Sequence, residues 1–225
     1  MLRFALLLAA MLSTQATPTS AAAPDHVILL HGLARTKASM VPLENALRRA
    51  GYVVHNLDYP SRTAAIEPLA ENAIGPALAA ARDAGATRIH LVTHSMGGIL
   101  VRAYLAKHTV PDLGRVVMLG PPNQGSEVVD RIGGWRLFRA INGPAGRELG
   151  TATTSTPNRL GPVTYPVGVV AGRRSINWIN SLMISGPDDG KVSVERTKVA
   201  GMADHIVIAA THPFLMRKPE VIRQV

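Results

Sequence analysis

A serine hydroxyl is a useful nucleophile near neutral pH only when a base takes its proton and an anion fixes that base in one tautomer. The stretch RIHLVTHSMGGILVRAYLAKH, Arg88 to His108, offers one serine in a suitable setting. Ile89 to Thr93 is a short apolar run rich in branched residues, the composition of a strand buried on both faces of a parallel sheet. Met96 to Lys107 reads as a helix. Ser95 sits between them, with Thr93 two residues before it, Gly97 two after it and Gly98 next. A strand that becomes a helix within about one residue holds the residue at the bend in a strained conformation, so its neighbours must be small. The Ser95 hydroxyl then stands at the tip of a sharp turn, and the Met96 N–H beside the helix start is placed to stabilise an oxyanion. Histidine is the base of choice, and the chain holds eight.

The elements that must position these groups alternate along the chain. Asp25-His-Val-Ile-Leu-Leu is a second buried-strand pattern, running into His31-Gly32-Leu33-Ala34. Ser39 is expected to cap an amphipathic helix that begins at Met40 and ends at Gly51. Tyr52 to Leu57 is strand-like again, and Ala64 to Ala84 is an alanine-rich helix in which Gly75-Pro76 predicts a kink or break. After the Ser95 segment, strands are expected over Arg115 to Gly120, Pro166 to Gly172 and Ile206 to Ala210, the last delivering His212 to a loop. Strand and helix in alternation argue for a parallel sheet flanked by helices. There is no internal repeat.

Thr93-His94-Ser95-Met96-Gly97 resembles the nucleophile elbow of the α/β hydrolases, G-x-S-x-G, with Thr93 in place of the first glycine, a replacement that small bacterial lipases of this superfamily tolerate. The resemblance covers nearly all of the chain after its first residues. It implies an α/β hydrolase fold, a mostly parallel sheet of about six strands flanked by helices. It also implies the chain order serine, acid, histidine, which leaves His108, His205 and His212 as bases. His108 ends the elbow helix and reads as a polar cap. His205 lies at the wrong end of the last strand. His212 follows that strand at its C-terminal end, where sites in open parallel sheets sit. For the acid, Asp112 and Asp130 come too early, and in similar lipases the acid is followed three residues later by a valine. Asp189 with Val192 fits that spacing, whereas Asp188 does not. The resemblance therefore assigns Ser95, Asp189 and His212 as catalytic residues and the backbone N–H groups of Leu33 and Met96 as the oxyanion hole. His31 is read as a structural residue that orients the Leu33 loop. The implied activity is that of a small secreted lipase or esterase working through an acyl-enzyme. Acyl transfer and thioester hydrolysis by the same residues are the alternative, and a non-catalytic binding protein of the same fold is a further one.

The 225 residues fit one domain, and 47% hydrophobic content is ample for its core. Residues 1–23 have a charged start, a short apolar block and a small-residue exit, the layout of a signal peptide with cleavage expected near Ala22 or Ala23. That makes residues 24–225 the exported hydrolase domain, periplasmic or extracellular. With no cysteine, no disulfide can hold it. The formal charge of +9, or +8 without Arg3, suggests attraction to anionic surfaces. An aromatic content of 4% and the lack of any nucleic-acid motif argue against nucleic acid as the partner. No metal-ligand spacing or cofactor fingerprint is present, so neither a metal nor a cofactor is expected. In residues 127–164 the strand pattern lapses, and either a lid or a plain surface excursion is expected there. Arg131, Arg136 and Arg139 lie close to Trp135, Leu137 and Phe138, a combination suited to peripheral contact with an anionic membrane. The run Ile176 to Ile184 is apolar enough to pack on the core or to line an acyl pocket.

Overall fold

Strand β1, His26–Leu30, is buried at every position, and its alternate side chains feed two separate cores. Ile28 and Leu30 join the apolar cluster under helices α2 (Ile66–Asp83) and α3 (Met96–Leu105). Val27 and Leu29 join the cluster on the other side, with Leu43 and Leu47 of α1 (Val41–Arg49) and Leu215 near the C-terminus. A strand covered on both faces must be apolar throughout, which is why this one reads as an unbroken hydrophobic run. The structure is a computed structural model that describes residues 24–225; the signal peptide expected at 1–23 lies outside the described residues.

Around β1 the sheet holds six strands in the order β2-β1-β3-β4-β5-β6, where β2 is Val53–Leu57, β3 Ile89–His94, β4 Leu113–Leu119, β5 Val167–Gly172 and β6 Asp204–Ile208. All five pairings are parallel. The connection from β1 leads to one side of the sheet and β3 takes up the other. The order therefore reverses at β1 and β3, and the crevice beyond their C-terminal ends is where an open parallel sheet binds its ligand. The loop after β1 carries Leu33, and the turn after β3 carries Ser95.

Three local expectations are corrected. Helix α2 runs unbroken through Pro76. Gly75 has no Cβ to meet the proline ring, which removes one of the clashes a proline brings, and buried Ile74, Ala77 and Leu78 on either side hold the helix against the core and offset the hydrogen bond that Pro76 cannot make. Ser39 is not a helix cap. It lies in a 3-10 turn, Lys37–Met40, where its hydroxyl donates to the Thr36 carbonyl at 2.8 Å, and α1 starts after Met40 without a side-chain cap. The last strand begins at Asp204 rather than Ile206 and ends at Ile208, leaving Ala209 to Thr211 as the approach to His212.

Residues 127–164 form helices α4 (Glu127–Ile132), α5 (Arg136–Arg147) and α6 (Thr156–Arg159). Helix α5 is broken at Gly143, whose φ of 65° and ψ of −166° are non-helical. The part beyond the break is tied down: Ala145 N–H donates to Ala64 O, Ser126 N–H to Leu149 O, and the Glu148 carboxylate accepts from Ile66 N–H and Thr156 Oγ1. Buried Arg102 of α3 adds a strap, donating to the carbonyls of Asn123, Pro157 and Gly161. The half of α5 before the break leaves Leu137 and Ile141 exposed, with exposed Trp135 just before its first residue. The run 176–184 divides likewise: Asn180 and Ile184 are buried, while Ile176, Trp178, Ile179 and Leu182 are exposed around the short helix α7 (Trp178–Ser181).

Candidate active site

Ser95 takes φ 53° and ψ −125°, a backbone region that costs a non-glycine residue about 1–3 kcal/mol and persists only where its surroundings enforce it. The enforcement is visible. Ser95 N–H is held by Leu119 O at 2.8 Å, and Gly98 N–H by Ser95 O at 3.0 Å. At Gly97 a Cβ would come within 2.9 Å of the carbonyl oxygens of Leu30 and His31, so only glycine fits beneath the bend. Thr93 is fully buried, with its hydroxyl oxygen 3.5 Å from Val117 O; the threonine at the first elbow position is packed into the sheet.

His212 opens a 3-10 turn, His212–Arg217, just past β6. Its Nε2 lies 2.9 Å from Ser95 Oγ, and its Nδ1 lies 2.7 Å from Asp189 Oδ2. The Asp189 side chain has no exposed surface, and its other oxygen accepts from the N–H groups of Lys191 at 3.0 Å and Val192 at 2.9 Å. Its backbone carbonyl accepts from His212 N–H at 2.8 Å. The carboxylate is thus anchored at both oxygens and points one lone pair at the imidazole. Asp188 does other work: its Oδ1 accepts from Ser181 Oγ and Gly190 N–H, closing the loop. Gly120, with φ 56°, lies beneath the pair; a Cβ there would stand 3.1 Å from Asp189 Oδ2 and 3.3 Å from His212 Nδ1.

Met96, as the first residue of α3, has an N–H with no intrahelical acceptor. The Leu33 N–H has no acceptor among the described residues. Two free donors therefore stand at the ends of β1 and β3. His31 is buried and stacked on Tyr59, with ring centroids 4.2 Å apart and planes 9° from parallel. Its Nδ1–H donates to Gly32 O, and Tyr59 Oη–H donates to His31 O at 2.5 Å. Burial lowers the His31 pKa below its ordinary value, which keeps the ring neutral in this structural position. The other two downstream histidines stand apart from Ser95: His108 pairs with Glu71 at 2.9 Å and His205 with Thr197 Oγ1 at 2.9 Å.

The structure adds one group that the sequence did not single out. His94, wholly buried, donates from Nε2 to the His212 carbonyl at 3.0 Å, and its ring lies 4.9 Å from that of His212. Burial, then the neighbouring His212, pushes its pKa well below the ordinary value. The available signal was a histidine at the end of an otherwise apolar buried strand, where a polar group needs a partner.

Above Ser95 opens a cavity of about 560 Å³. Leu33, Ala34 and Arg35 line one side; Val128, Phe138, Ile141 and Leu149 from residues 127–164 line another; Ile176, Asn177 and Lys191 line a third. Its walls are mostly apolar, and Ser95, Asp189 and His212 are among the residues that line it.

A sequence model of the alpha/beta hydrolase family matches residues 27–224. The chain is an α/β hydrolase. No curated protein sequence matches this hydrolase. Among solved structures it is similar to the mature lipase BlEst2 of Bacillus licheniformis, with a TM-score of 0.70 at 17% identity over 90% of this chain and 91% of that one. It is similar to the phospholipase PlaB of Legionella pneumophila, with a TM-score of 0.66 at 18% identity over 89% of this chain and 57% of that one. The metagenomic carboxyl esterase MGS0156 gives 0.64 at 18% identity over 90% and 70%. The hydrolase spans 49% of the propeptide form of the Bacillus lipase. At these identities the likeness is one of fold.

Proposed function

We propose that this α/β hydrolase cleaves carboxylic esters through an acyl-enzyme on Ser95. The observation that carries the reading is the continuous chain from Ser95 Oγ through His212 to Asp189, at 2.9 and 2.7 Å, beneath an apolar cavity. His212 Nε2 takes the Ser95 proton as Oγ attacks the carbonyl, and Asp189 holds the tautomer and stabilises the imidazolium that forms. The N–H groups of Leu33 and Met96 receive the oxyanion, each worth roughly a hundred- to thousandfold in rate. His212 then protonates the departing alcohol, and a water that it deprotonates releases the acid. The names of the similar structures, lipase, phospholipase and carboxyl esterase, support an ester substrate. A fluorophosphonate probe tests the chemistry: mass spectrometry should find one adduct, on Ser95, and the labelled protein should no longer hydrolyse a 4-nitrophenyl ester. Labelling elsewhere, or none, would sink the assignment.

The same reading extends to where the substrate is met. Ile141 and Ile176 line the cavity; the exposed Trp135 and Leu137 lie near the first in the chain and the exposed Trp178, Ile179 and Leu182 near the second, with exposed Arg131, Arg136 and Arg139 among the first group. An apolar rim beside arginines suits the surface of an anionic bilayer, with the half of α5 before Gly143 serving as the lid. No helix of the described residues is long and apolar enough to cross a membrane. Export follows from residues 1–23 as a cleaved leader, and the mass of secreted material should begin between Ala22 and Pro24.

A further inference from the structure

The cavity over Ser95 contains two cations for which the acyl-enzyme mechanism has no use. Arg35 follows Leu33 by two residues. Between them Ala34 takes φ 54°, a left-handed conformation uncommon for a residue with a side chain, and its N–H is fixed by Ser61 Oγ at 3.1 Å. That turn sets the Arg35 side chain on the cavity wall. Lys191 reaches the same cavity from the Asp189 loop, its backbone pinned on both sides by the Asp189 carboxylate and by Ser126 Oγ, which donates to Lys191 O at 2.7 Å. Neither Arg35 nor Lys191 has a side-chain hydrogen bond or an ion pair among the described residues.

The local charge balance is lopsided. Asp189 is the one carboxylate in the cavity wall, and it is spent on His212 and two backbone N–H groups. Arg217, on the turn that begins at His212, is exposed outside the cavity lining, near enough for its charge to act on Arg35. Arg35 is half-buried and Lys191 is open to solvent; two like charges lining one cavity repel each other, and an anion joining them relieves that repulsion. Partial desolvation lowers the pKa of both groups: for Lys191 the attraction of Asp189 opposes it and exceeds the repulsion from Arg35, and for Arg35 the repulsion of Arg217 adds to it.

We propose that Arg35 and Lys191 form an oxyanion-binding subsite, and that the ester this enzyme prefers carries a phosphate group beside the scissile bond. The subsite rests on the ester-hydrolase reading and narrows it from esters in general to anionic ones, of which a phosphate-bearing glycerolipid is the nearest kind. Arginine would take the phosphate with two parallel N–H donors and lysine with a point charge.

The test uses soluble short-chain substrates, so that micelles play no part: dibutyroylglycerol phosphate and dibutyroylglycerol, compared by kcat/KM. The wild-type enzyme should favour the phosphate ester, and Arg35→Gln with Lys191→Gln should lower the phosphate-to-neutral ratio by roughly ten- to a hundredfold, the range expected for charge-assisted hydrogen bonds. Inorganic phosphate should compete with the neutral ester in the wild type and lose that effect in the double variant. Lys191→Arg keeps the charge and should keep most of the ratio, which guards against a double variant that fails to fold. Equal slowing on both esters would mean that the cations serve only the transition-state oxyanion and would overturn the subsite. So would a wild-type ratio near one with no phosphate inhibition, while hydrolysis of the neutral ester would leave the ester-hydrolase reading standing. A wild type that cleaves neither ester would remove both.

Discussion

Two hydrogen-bonded histidine–aspartate pairs, built from the same groups, stand at opposite ends of the sheet, and His31 with Asp58 makes a third, longer contact of 3.6 Å. At the C-terminal end His212 Nδ1 meets Asp189 Oδ2 at 2.7 Å, and at the N-terminal end His90 Nε2 meets Asp25 Oδ2 at 3.1 Å. Their surroundings differ in three ways. Asp189 has no exposed side-chain surface, whereas Asp25 keeps 32% of its own and also faces Arg88 at 3.8 Å. The far nitrogen of His212 looks onto Ser95 Oγ, while that of His90 accepts the N–H of Arg115 at 2.9 Å and is used up. Beside Ser95 stand free N–H groups on a strained turn; beside His90 there is ordinary strand backbone. A histidine beside a carboxylate therefore does not by itself mark a site, and under the proposed mechanism reactivity depends on the hydroxyl, the burial and the unpaired donors at the C-terminal edge.

The sharpest way to break this comparison is to remove the group that only one side has. Ser95→Ala should lower kcat on a soluble 4-nitrophenyl ester by about six orders of magnitude with the protein still folded, because histidine and aspartate do little without the nucleophile. A residual rate near wild type would show that the hydroxyl is a bystander. Next comes the pair itself. Asp189→Asn should cost about ten-thousandfold through the wrong tautomer of His212, whereas Asp25→Asn should change kcat by less than about twofold, as for an exposed pair. Asp188→Asn should fall far nearer the second result than the first. Comparable losses for Asp25 and Asp189 would refute the account of why the two pairs differ.

The contrast also explains which parts were legible in the sequence. Strands β1, β3 and β5 showed as apolar runs because each is covered on both sides, and Ser95, Asp189 and His212 were traceable because each follows a strand in a fixed order. Even the Asp189–Val192 spacing has a visible cause, since the carboxylate accepts the Val192 N–H. The break expected at Gly75-Pro76 did not occur because the helix is packed on the core at Ile74, Ala77 and Leu78 and Gly75 removes one of the proline's clashes, context that a count of helix breakers overlooks. Arg35, Lys191 and His94 stayed hidden for a different reason: what makes them notable is who stands beside them, and those neighbours come from distant parts of the chain.

The exposed rim allows a smaller and salt-sensitive contrast between the two ends. Each arginine close to an anionic bilayer contributes about 1 kcal/mol, so replacing Arg131, Arg136 and Arg139 together by Gln should weaken binding to anionic vesicles by roughly a hundredfold at low salt. The difference should shrink as salt shortens the Debye length to about 8 Å or less. Turnover of emulsified ester should fall with it and that of a small soluble ester far less. An equal loss on both substrates, or on neither, would make the segment a structural element instead of a membrane-seeking lid.

The smallest effect separates the edges by burial alone. His94 lies wholly inside the C-terminal edge, and burial holds its pKa well below the ordinary value; His31 is shifted the same way by the same cause. In the unfolded chain each would take up a proton near pH 6.5. Below that pH the unfolded state binds more protons than the folded one, so stability is full above pH 6.5 and is lost as the pH falls toward the depressed folded-state values. The slope for each such group is at most about 1.4 kcal/mol per pH unit, and most carboxylates join in only below about pH 5. Urea unfolding between pH 6.5 and 5 should therefore show a falling midpoint in the wild type. His94→Gln keeps an N–H that can donate to the His212 carbonyl but cannot take up the proton, so its profile should be shallower by up to that amount even where its stability at pH 8 is lower. A variant with the wild-type slope would mean that His94 escapes its burial by local opening, and the rigid backing that it gives to His212 would have to be abandoned.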